Sequence, residues 1–260
     1  MDDVDFEPFG GDLRLAYLLT PGRDGKRCGC FWLGGFRSDM TGTKAEAVAA
    51  FAEASGRTCL RFDYSGHGQS GGDFERATMS GWLAQSLHML RTHMRGPCIV
   101  AGSSMGGWLA MLLLRALGSE ADRIKGLVLL APAADMTERL MWDAFPPPVR
   151  ETILTEGVWY RPSAYGDGPY PITRALIEDG RKHLLLDKAF PVSCPVRILH
   201  GDADADVPWQ HGLEIHNAIA GEDVRFTLIK GGDHRLSSPR DLDLLTRTIG
   251  ELAAAGDDSP

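Results

Sequence analysis

The chain has 260 residues, of which 43% are hydrophobic, and its 27 basic and 35 acidic side chains leave a formal net charge of −8. A single α/β domain of this length is ordinary and buries about three quarters of its unfolded surface, so a stable core needs no disulfide or metal. Proteins that neutralise nucleic-acid phosphates or lie on anionic membranes need an excess of Lys and Arg, and the acidic balance therefore excludes nucleic acid as a default partner.

Three features of the chain bear on its location. The start Met1–Asp5 is acidic and lacks the positive residues and apolar run of a secretory signal. No apolar stretch approaches the roughly 20 residues that a membrane-spanning helix needs. The five cysteines are an odd number without a Cys-x-x-Cys pair, which favours reduced thiols in the core. We therefore expect a cytoplasmic protein without integral membrane association.

Runs rich in apolar and β-branched residues alternate with helix-length segments along the chain. An early alternating stretch, Leu13–Leu19, predicts an antiparallel edge strand. The later runs predict a mostly parallel, doubly wound sheet with helices on both faces, because strands joined by helices pair through right-handed crossovers. These six runs are Arg27–Leu33, Arg57–Tyr64, Pro97–Gly102, Ile124–Ala131, Val196–His200 and Val224–Lys230.

Helix-start signals mark two of the segments between these runs. Thr43 begins a capping-box pattern that opens a helix over Lys44–Ala54. Near the end of the chain Ser238 is a candidate N-cap, with Pro239 in the first turn and Asp241 at the third helical position. Both patterns predict helices that pack against the sheet.

One segment interrupts the alternation of strands and helices. Residues 132–191 hold eight of the fifteen prolines, together with several tryptophans and tyrosines. Proline at that density sustains neither a central strand nor a long helix. We predict a cap or lid inserted into a core made of residues 1–131 and 192–260. The alternative is a structural loop that only covers the surface.

A candidate nucleophile follows the third of the six runs. Ligands of parallel sheets bind at the carboxyl ends of the strands, and here Gly102 to Gly106 spell G-x-S-x-G, followed at once by a helical pattern. This strand–turn–helix context is the one that the motif requires, because it holds the serine hydroxyl up on a strained turn at a helix N-terminus. Ser104 is the predicted nucleophile.

A second G-x-S-x-G is centred on Ser70, but no helical periodicity begins before about Thr78, so Ser70 fails on context. The same loop, from Gly66, also spells a dinucleotide-binding pattern. Such a site needs an acidic residue about 20 positions further on, and none lies between Glu75 and Glu120. We therefore expect neither a nicotinamide nor a flavin, and no other cofactor.

A serine hydroxyl becomes a strong nucleophile only when a base takes its proton and a third group orients that base. In hydrolases whose serine lies on a turn between a strand and a helix, the acid and then the histidine come later in the chain, at the ends of later strands. His234 comes directly after the run Val224–Lys230 and a glycine turn, with the last predicted helix starting shortly after it. His234 is the predicted base.

The predicted acid lies in a run of three aspartates after Val196–His200. Spacing to the next helix favours Asp204, with Asp206 as the nearest rival and Asp135, after an earlier strand, as a third option. An Asp-x-Asp-x-Asp run is also typical of calcium loops. Those loops need Gly and Glu where this chain has Val207 and Leu213, so no metal site is predicted.

Acyl transfer also needs an oxyanion hole, two backbone N–H groups aimed at the charge that develops on the attacked carbonyl oxygen. One N–H is expected from Met105, the residue after the nucleophile. The other is expected from Phe36, in the glycine-rich loop that follows the strand ending at Leu33. These donors complete a predicted set of nucleophile, base, acid and oxyanion hole.

These motifs resemble those of the α/β-hydrolases, and within them the mitochondrial palmitoyl-protein thioesterase group, whose members are also described as acyl-glucuronide esterases. The residues that carry the resemblance are Phe62-Asp63-Tyr64-Ser65-Gly66, Gly102 to Leu109, Cys194-Pro195-Val196-Arg197, His200-Gly201, Val207-Pro208-Trp209-Gln210 and Asp233-His234-Arg235. The resemblance implies a triad of Ser104, Asp204 and His234. It also implies oxyanion donors at Met105 and Phe36. No basic, serine-rich stretch precedes the domain, so the expected location stays cytoplasmic.

The predicted reaction is hydrolysis of a carboxylic ester or S-acyl thioester through an acyl-enzyme. The substrate is a small molecule or an acylated protein. Met136, Trp142, Phe145 and Trp159 are predicted to line an apolar acyl pocket, whereas Trp108, on the helix behind the nucleophile, is expected in the core. The alternatives are a carbon–carbon bond hydrolase or a peptidase on the same scaffold, and a non-catalytic small-molecule binder.

Overall fold

The computed structural model describes residues 4–23, 27–162 and 168–258. Within these residues the strands are β1 Asp5–Pro8, β2 Arg14–Thr20, β3 Gly29–Leu33, β4 Cys59–Phe62, β5 Cys98–Ser103, β6 Ile124–Leu130, β7 Val158–Arg161, β8 Tyr170–Thr173, β9 Phe190–Pro191, β10 Val196–Gly201, β11 Ile219–Ala220 and β12 Val224–Ile229. The α-helices are α1 Thr43–Ser55, α2 Met79–His93, α3 Met105–Leu117, α4 Pro147–Glu156, α5 Arg174–Gly180, α6 Trp209–Ala218 and α7 Pro239–Asp257. Each of the six predicted runs overlaps one strand.

Eight strands form one sheet in the order β1-β2-β4-β3-β5-β6-β10-β12. The six strands from β4 to β12 pair in parallel, which confirms the predicted α/β sheet. The stretch Leu13–Leu19 forms β2, antiparallel to β4, but the edge strand is β1. That four-residue strand is mostly exposed, and so short a segment shows no alternation of apolar residues that would identify it.

The core lies on both faces of the sheet. Alternate residues of β3 point to opposite faces: Phe31 and Leu33 join the cluster around α2 and α3, whereas Cys30 and Trp32 join the cluster around α1 and α7. Trp108 is fully buried in the first cluster, as expected. A sheet covered on both sides exposes only its ends, and the carboxyl ends of the parallel strands are therefore open to ligands.

The two predicted helix starts have different outcomes. Ser238 caps α7 in a capping box, in which its hydroxyl accepts from the Asp241 N–H and the Asp241 carboxylate accepts from the Ser238 N–H. The capping box predicted at Thr43 is wrong. Gly42 is the N-cap of α1, without a side-chain hydrogen bond, and Thr43 is already the first helical residue, where its side chain no longer occupies the capping position.

The segment 132–191 leaves the large sheet after β6 and returns to it at β10. It holds a short π-helix at Thr137–Trp142, helices α4 and α5, and the antiparallel pair β7–β8. Both ends are held by the buried carboxylate of Asp135, which accepts hydrogen bonds from the N–H groups of Leu185 and Leu186 at 2.8 and 3.0 Å. Residues 163–167 of the predicted cap lie outside the described residues, and the division into core and cap stays a prediction.

A helix that spans a membrane must be both long and apolar. In the part of the chain that the structure describes, none of the helices combines the length and the apolar composition that crossing a bilayer requires.

The C-terminal helix is tied to the sheet by a bidentate ion pair. Arg57, whose side chain is 8% exposed, donates to both carboxylate oxygens of Asp257 at 3.0 and 2.8 Å. It also donates to the carbonyl oxygen of Cys28, and the Cys28 N–H donates to Asp257 at 2.6 Å. Three distant parts of the chain therefore share one buried charge pair.

Replacement of Asp257 tests the contribution of this ion pair to stability. Asp257→Asn is expected to lower the free energy of unfolding by about 3 kcal/mol, because it leaves the buried Arg57 guanidinium without its counter-charge. Asp243→Asn is the matched control on the same helix: it breaks the exposed Arg247–Asp243 pair and should cost less than about 1 kcal/mol. Urea denaturation at pH 7 measures both, and equal losses would contradict the interpretation.

Candidate active site

Ser104 occupies the sharp turn between β5 and α3. Its backbone has φ 54° and ψ −116°, a conformation that residues other than glycine rarely adopt. The turn is possible because its flanking residues have no Cβ: one at Gly102 would overlap the Gly106 carbonyl, and one at Gly106 would overlap the Leu33 carbonyl. The Ser104 N–H donates to the Leu130 carbonyl of β6 at 2.9 Å, and the side chain faces a cavity.

His234 lies between Ser104 and Asp204. Its Nδ1 is 2.8 Å from Asp204 Oδ2, and its Nε2 is 3.1 Å from Ser104 Oγ. Because an ionised carboxylate only accepts hydrogen bonds, Nδ1 carries a proton and donates it to Asp204. In the neutral ring Nε2 then accepts from the Ser104 hydroxyl. The three side chains form one hydrogen-bonded chain, although they come from the ends of β5, β10 and β12.

Asp204 is held as a charged group in a fully buried position. Its Oδ1 accepts from the N–H groups of Asp206 and Val207 at 2.9 and 2.8 Å, and His200 Nε2 lies 3.4 Å from its Oδ2. Burial alone would raise the pKa of Asp204, but hydrogen bonds from His200, His234 and the Val207 N–H outweigh burial and hold this pKa well below its usual range. The carboxylate therefore stays ionised beside His234.

The other candidate acids do different things. Asp135 accepts hydrogen bonds from the N–H groups of Leu185 and Leu186. Asp202 forms an exposed pair with Lys230. Asp206 is exposed at the rim of the cavity. The structure thus brings Asp204, and neither Asp135 nor Asp202, into contact with His234.

A group of possible metal ligands overlaps this arrangement. Among the described residues, Asp204, Asp206 and His234 place ligand atoms within 4.8 Å of one another. Both ring nitrogens of His234 and both oxygens of Asp204 already take part in the hydrogen bonds given above. A metal there would have to displace a hydrogen bond of His234, to Asp204 or to Ser104, so the donor set is better suited to proton transfer than to metal binding.

The two predicted oxyanion donors lie beside Ser104. Met105 is the first residue of α3, and the first N–H of a helix has no acceptor within the helix. Phe36 lies in the turn after β3, and a Cβ on the preceding Gly35 would be 3.5 Å from the Cβ of Ser104. No described residue accepts a hydrogen bond from the Phe36 N–H. The assignment of these two N–H groups as oxyanion donors stays a prediction.

Ser104 and His234 open into a cavity of about 340 Å³. One part of its wall is apolar and is formed by Ala133, Met136, Leu140, Met141 and Val207. Another part carries positive side chains, from Arg37, Lys44, Arg161 and Arg235, with Asp206 as the acidic member. The cavity thus combines an apolar surface with a cationic one, although the chain as a whole is acidic.

Of the four residues predicted for an acyl pocket, only Met136 lines this cavity. Phe145 and Trp159 pack edge to face against each other with ring centres 5.2 Å apart. The indole of Trp142 lies beneath the guanidinium groups of Arg150 and Arg181. These three rings serve packing within residues 132–191, because each finds its partner in the same segment.

Sequence reasoning missed the cationic part of the cavity. Lys44 projects from α1 and donates a hydrogen bond from Nζ to the carbonyl of Arg235, the residue after His234. Burial lowers the pKa of Lys44 to about 8. Arg37 stacks over the Tyr170 ring at 4.9 Å. No motif marks these residues, since separate strands and loops bring them together only in the folded chain.

Ser70, the rejected serine, has a structural role. Its hydroxyl donates to the Asp63 carbonyl at 2.6 Å and accepts from the Ala16 N–H at 2.8 Å. The following helix α2 begins at Met79, capped by Thr78. Ser70 thus fixes the loop after β4 to strand β2, and its hydroxyl is occupied on both sides.

Asparagine substitutions distinguish the roles of the neighbouring residues Asp204 and Asp206. Asp204→Asn is expected to lower kcat about 10⁴-fold, because an amide no longer selects the His234 tautomer that accepts from Ser104. Asp206→Asn should cause a far smaller loss, since Asp204 already occupies the Nδ1 side of the ring. Steady-state kinetics on an activated ester measures both variants. A larger loss in Asp206→Asn would reverse the assignment.

The variant Asp204→Asn also tests the lowered pKa of Asp204. A carboxyl whose pKa in the folded state lies below the ordinary 3.8 stabilises the fold above that pH, and this contribution is lost as the pH falls through the lowered pKa. The difference in unfolding free energy between wild type and Asp204→Asn should be constant above about pH 4 and shrink below it. Urea titrations across this range measure it, and a difference that grows with acidity would contradict the shift.

Comparison with known proteins gives close relatives for this site and fold. The chain is 38% identical over 241 residues to the Mus musculus protein named palmitoyl-protein thioesterase ABHD10, mitochondrial, covering 92% of this chain and 78% of the relative. The solved structure of mouse alpha/beta hydrolase domain-containing protein 10 superposes with a TM-score of 0.86 at 35% identity, covering 97% of this chain and 99% of that one. A solved protein from Agrobacterium vitis S4 gives a TM-score of 0.91 at 40% identity, with 96% and 98% covered.

The prediction of a cytoplasmic location is wrong by this comparison, because the curated relatives are named as mitochondrial proteins. The prediction relied on the composition of the first residues and on the reduced cysteines. An organelle address is read by receptors from a targeting segment and does not depend on the folded domain. The residues that build the core and the site therefore carry no record of it.

The resemblance drawn from the motifs is confirmed by these relatives, which match over nearly the whole chain. The match also explains why the mostly parallel sheet and the turn at Ser104 agree with the motif-based expectation. A family described as the alpha/beta hydrolase family matches residues 18–243. The chain belongs to the alpha/beta hydrolase family.

Proposed function

We propose that the protein is a serine hydrolase that cleaves carboxylic esters or S-acyl thioesters through an acyl-enzyme on Ser104. The observation that carries the proposal is the position of His234, with Asp204 at 2.8 Å on one ring nitrogen and Ser104 at 3.1 Å on the other. Ester and thioester bonds are supported by relatives named as palmitoyl-protein thioesterases, which add S-palmitoylated proteins to the candidate substrates.

The first half of the reaction forms the acyl-enzyme. His234 Nε2 takes the proton of the Ser104 hydroxyl as Oγ attacks the carbonyl carbon. The carbonyl oxygen becomes an oxyanion that accepts from the N–H groups of Met105 and Phe36. His234 is then positively charged, and the buried carboxylate of Asp204 stabilises it. When the tetrahedral intermediate collapses, His234 gives the proton to the leaving alkoxide or thiolate.

The second half repeats these steps with water as the nucleophile. His234 takes a proton from water, the hydroxide attacks the acyl carbon, and the same N–H groups hold the second oxyanion. Collapse releases the carboxylic acid and returns the proton to Ser104. No group other than these side chains and N–H groups is needed for either half.

The cavity supports a substrate with an apolar acyl part. Met136, Leu140 and Met141 offer an apolar wall beside Ser104, and burial of a methylene group there contributes about 0.8 kcal/mol. The cationic side, which includes Arg37 and Arg161, favours an anionic group on the remainder of the substrate. We propose an ester or thioester that combines these two features.

The alternatives from the sequence remain distinguishable by experiment. A carbon–carbon bond hydrolase or a peptidase would use the same triad, and substrate panels separate them from an esterase. A non-catalytic binder would lack an activated serine. The hydrogen-bond contact between His234 and Ser104 supports a reactive hydroxyl.

Covalent labelling tests the nucleophile. The wild-type protein is expected to react with a fluorophosphonate probe, and Ser104→Ala should abolish the labelling and lower kcat by about 10⁶-fold. Thermal unfolding of Ser104→Ala should stay near that of the wild type, because the hydroxyl faces the cavity. Ser70→Ala is the matched serine control and should still be labelled. Labelling of folded Ser104→Ala would show that another residue is the nucleophile.

An ester series tests the substrate. Along p-nitrophenyl esters and acyl thioesters of increasing chain length, kcat/KM should rise and then fall once the chain exceeds the cavity. At a fixed acyl chain, a carboxylate on the leaving group should raise kcat/KM. A flat profile, or a preference for charged acyl groups, would contradict the apolar acyl part.

A charge variant tests the cationic side chains of the cavity independently of the apolar ones. Arg161→Gln should reduce the preference for the anionic leaving group by about 5-fold, the equivalent of roughly 1 kcal/mol, and leave the chain-length profile unchanged. Arg225→Gln is the control, because Arg225 is exposed on β12 and pairs with Asp223 outside the cavity. An equal effect of both substitutions would assign the preference to overall charge.

A further inference from the structure

His67 is a buried histidine to which the reaction above gives no role. It lies in the loop after β4 and is 3% exposed. Its ring contacts three aromatic rings at centre distances of 5.1 to 5.5 Å, namely Tyr64, Phe74 and Trp82. An imidazole in such surroundings needs hydrogen-bond partners for both nitrogens.

The partners of His67 determine its protonation. Its Nε2 lies 3.1 Å from the backbone N of Arg37, and its Nδ1 lies 3.3 Å from the carbonyl oxygen of Ser65. A backbone N–H only donates, so Nε2 must accept, and Nδ1 must carry the proton that reaches the Ser65 carbonyl. Burial lowers the pKa of His67 to about 4, which agrees with a neutral ring at neutral pH.

The Arg37 N–H, from which His67 accepts a hydrogen bond, belongs to a strained turn. Arg37 has a φ of 60°, a left-handed conformation that costs a residue with a Cβ about 1 kcal/mol or more. A turn of this kind persists only when its surroundings hold it. The turn is closed by the hydrogen bond from the Ser38 N–H to the Gly35 carbonyl at 3.1 Å, and the Arg37 side chain stacks over Tyr170. The loop after β4 adds the hydrogen bond from the Arg37 N–H to His67, and the Phe36 ring packs against Phe74 and Trp82 at 5.0 and 6.0 Å.

The turn also presents the second oxyanion donor. The Phe36 N–H lies in the peptide unit before the one that His67 binds. Both N–H groups belong to the same turn, so loss of the bond to His67 removes one of the contacts that fix the turn carrying the Phe36 N–H. Oxyanion donors work because they are fixed before the charge develops. The same aromatic rings hold both the histidine and Phe36, and they link the loop after β4 to the loop after β3.

We propose that His67 is a positioning residue of the reaction, which holds the Phe36–Arg37 turn so that the Phe36 N–H faces the developing oxyanion. This inference rests on the proposed function. His67 touches neither substrate nor Ser104, and it acts through the Arg37 N–H. It serves as a hydrogen-bond acceptor, a role that a side-chain amide oxygen can also fill.

Two substitutions test the acceptor. His67→Leu fills the site without an acceptor and should lower kcat by about 10- to 100-fold, part of the loss typical for a missing oxyanion donor, with KM within about 3-fold. An arylboronic acid, which forms a tetrahedral adduct on serine, should bind more weakly by the same factor. His67→Gln restores an acceptor near the position of Nε2 and should recover most of kcat and of boronate affinity.

A matched control distinguishes positioning from general destabilisation. His93→Leu removes another partly buried histidine, which lies at the C-terminal end of α2 and pairs with Glu7. This substitution should leave kcat unchanged. Thermal unfolding confirms that each variant is folded. The proposal is overturned if folded His67→Leu keeps kcat within about 3-fold of the wild type, or if His67→Gln is as impaired as His67→Leu.

One measurement needs no variant. Ring ¹⁵N chemical shifts of His67 in the wild-type protein should report a neutral ring protonated at Nδ1, and a charged ring or a proton on Nε2 would overturn the proposal. Failure of the proposed function is separate, because it appears as the absence of fluorophosphonate labelling in the wild type. A labelled wild type with fully active His67→Leu rejects the positioning role alone.

Discussion

A buried negative charge is the constraint on which the rest of the site depends. Asp204 has a fully buried side chain, and an isolated carboxylate in such a position would take up a proton. Donors from the same loop, together with two histidines, keep it ionised. The charge fixes the tautomer of His234, and that tautomer leaves Nε2 free to accept from Ser104. Removal of the N–H donors of the loop would change the chemistry of a hydroxyl that they do not touch.

The sheet brings this charge to the hydroxyl. Parallel strands end at one edge, so the loops after β3, β5, β10 and β12 meet there although they are spread along the chain between residues 34 and 234. Three of these loops supply a hydroxyl, a carboxylate and an imidazole, and the loop after β3 supplies the proposed N–H group. The covered faces of the sheet keep these loops in place. Rigid strands, more than local sequence, therefore set the distances within the site.

Motifs predicted the parts whose chemistry restricts the residue type. Gly102 and Gly106 are required by close backbone contacts, so the turn around Ser104 is visible in the sequence, and helical context separates it from Ser70. The wall of the cavity was not predictable in this way. Aromatic residues of the segment 132–191 found partners within that segment, as Trp142 did with two arginines, and the cations that face Ser104 come from distant elements. Such pairings depend on tertiary packing, which no local pattern records.

The anchoring of residues 132–191 at Asp135 has an evolutionary consequence. One buried carboxylate binds the N–H groups of Leu185 and Leu186, so the two ends of the intervening chain stay side by side whatever that chain contains. Lengthening a closed loop costs little, about 0.6 kcal/mol for each doubling. Insertions and replacements between these ends can therefore accumulate without disturbing the sheet. New substrate ranges can arise by exchange of this segment while the reactive groups remain as they are.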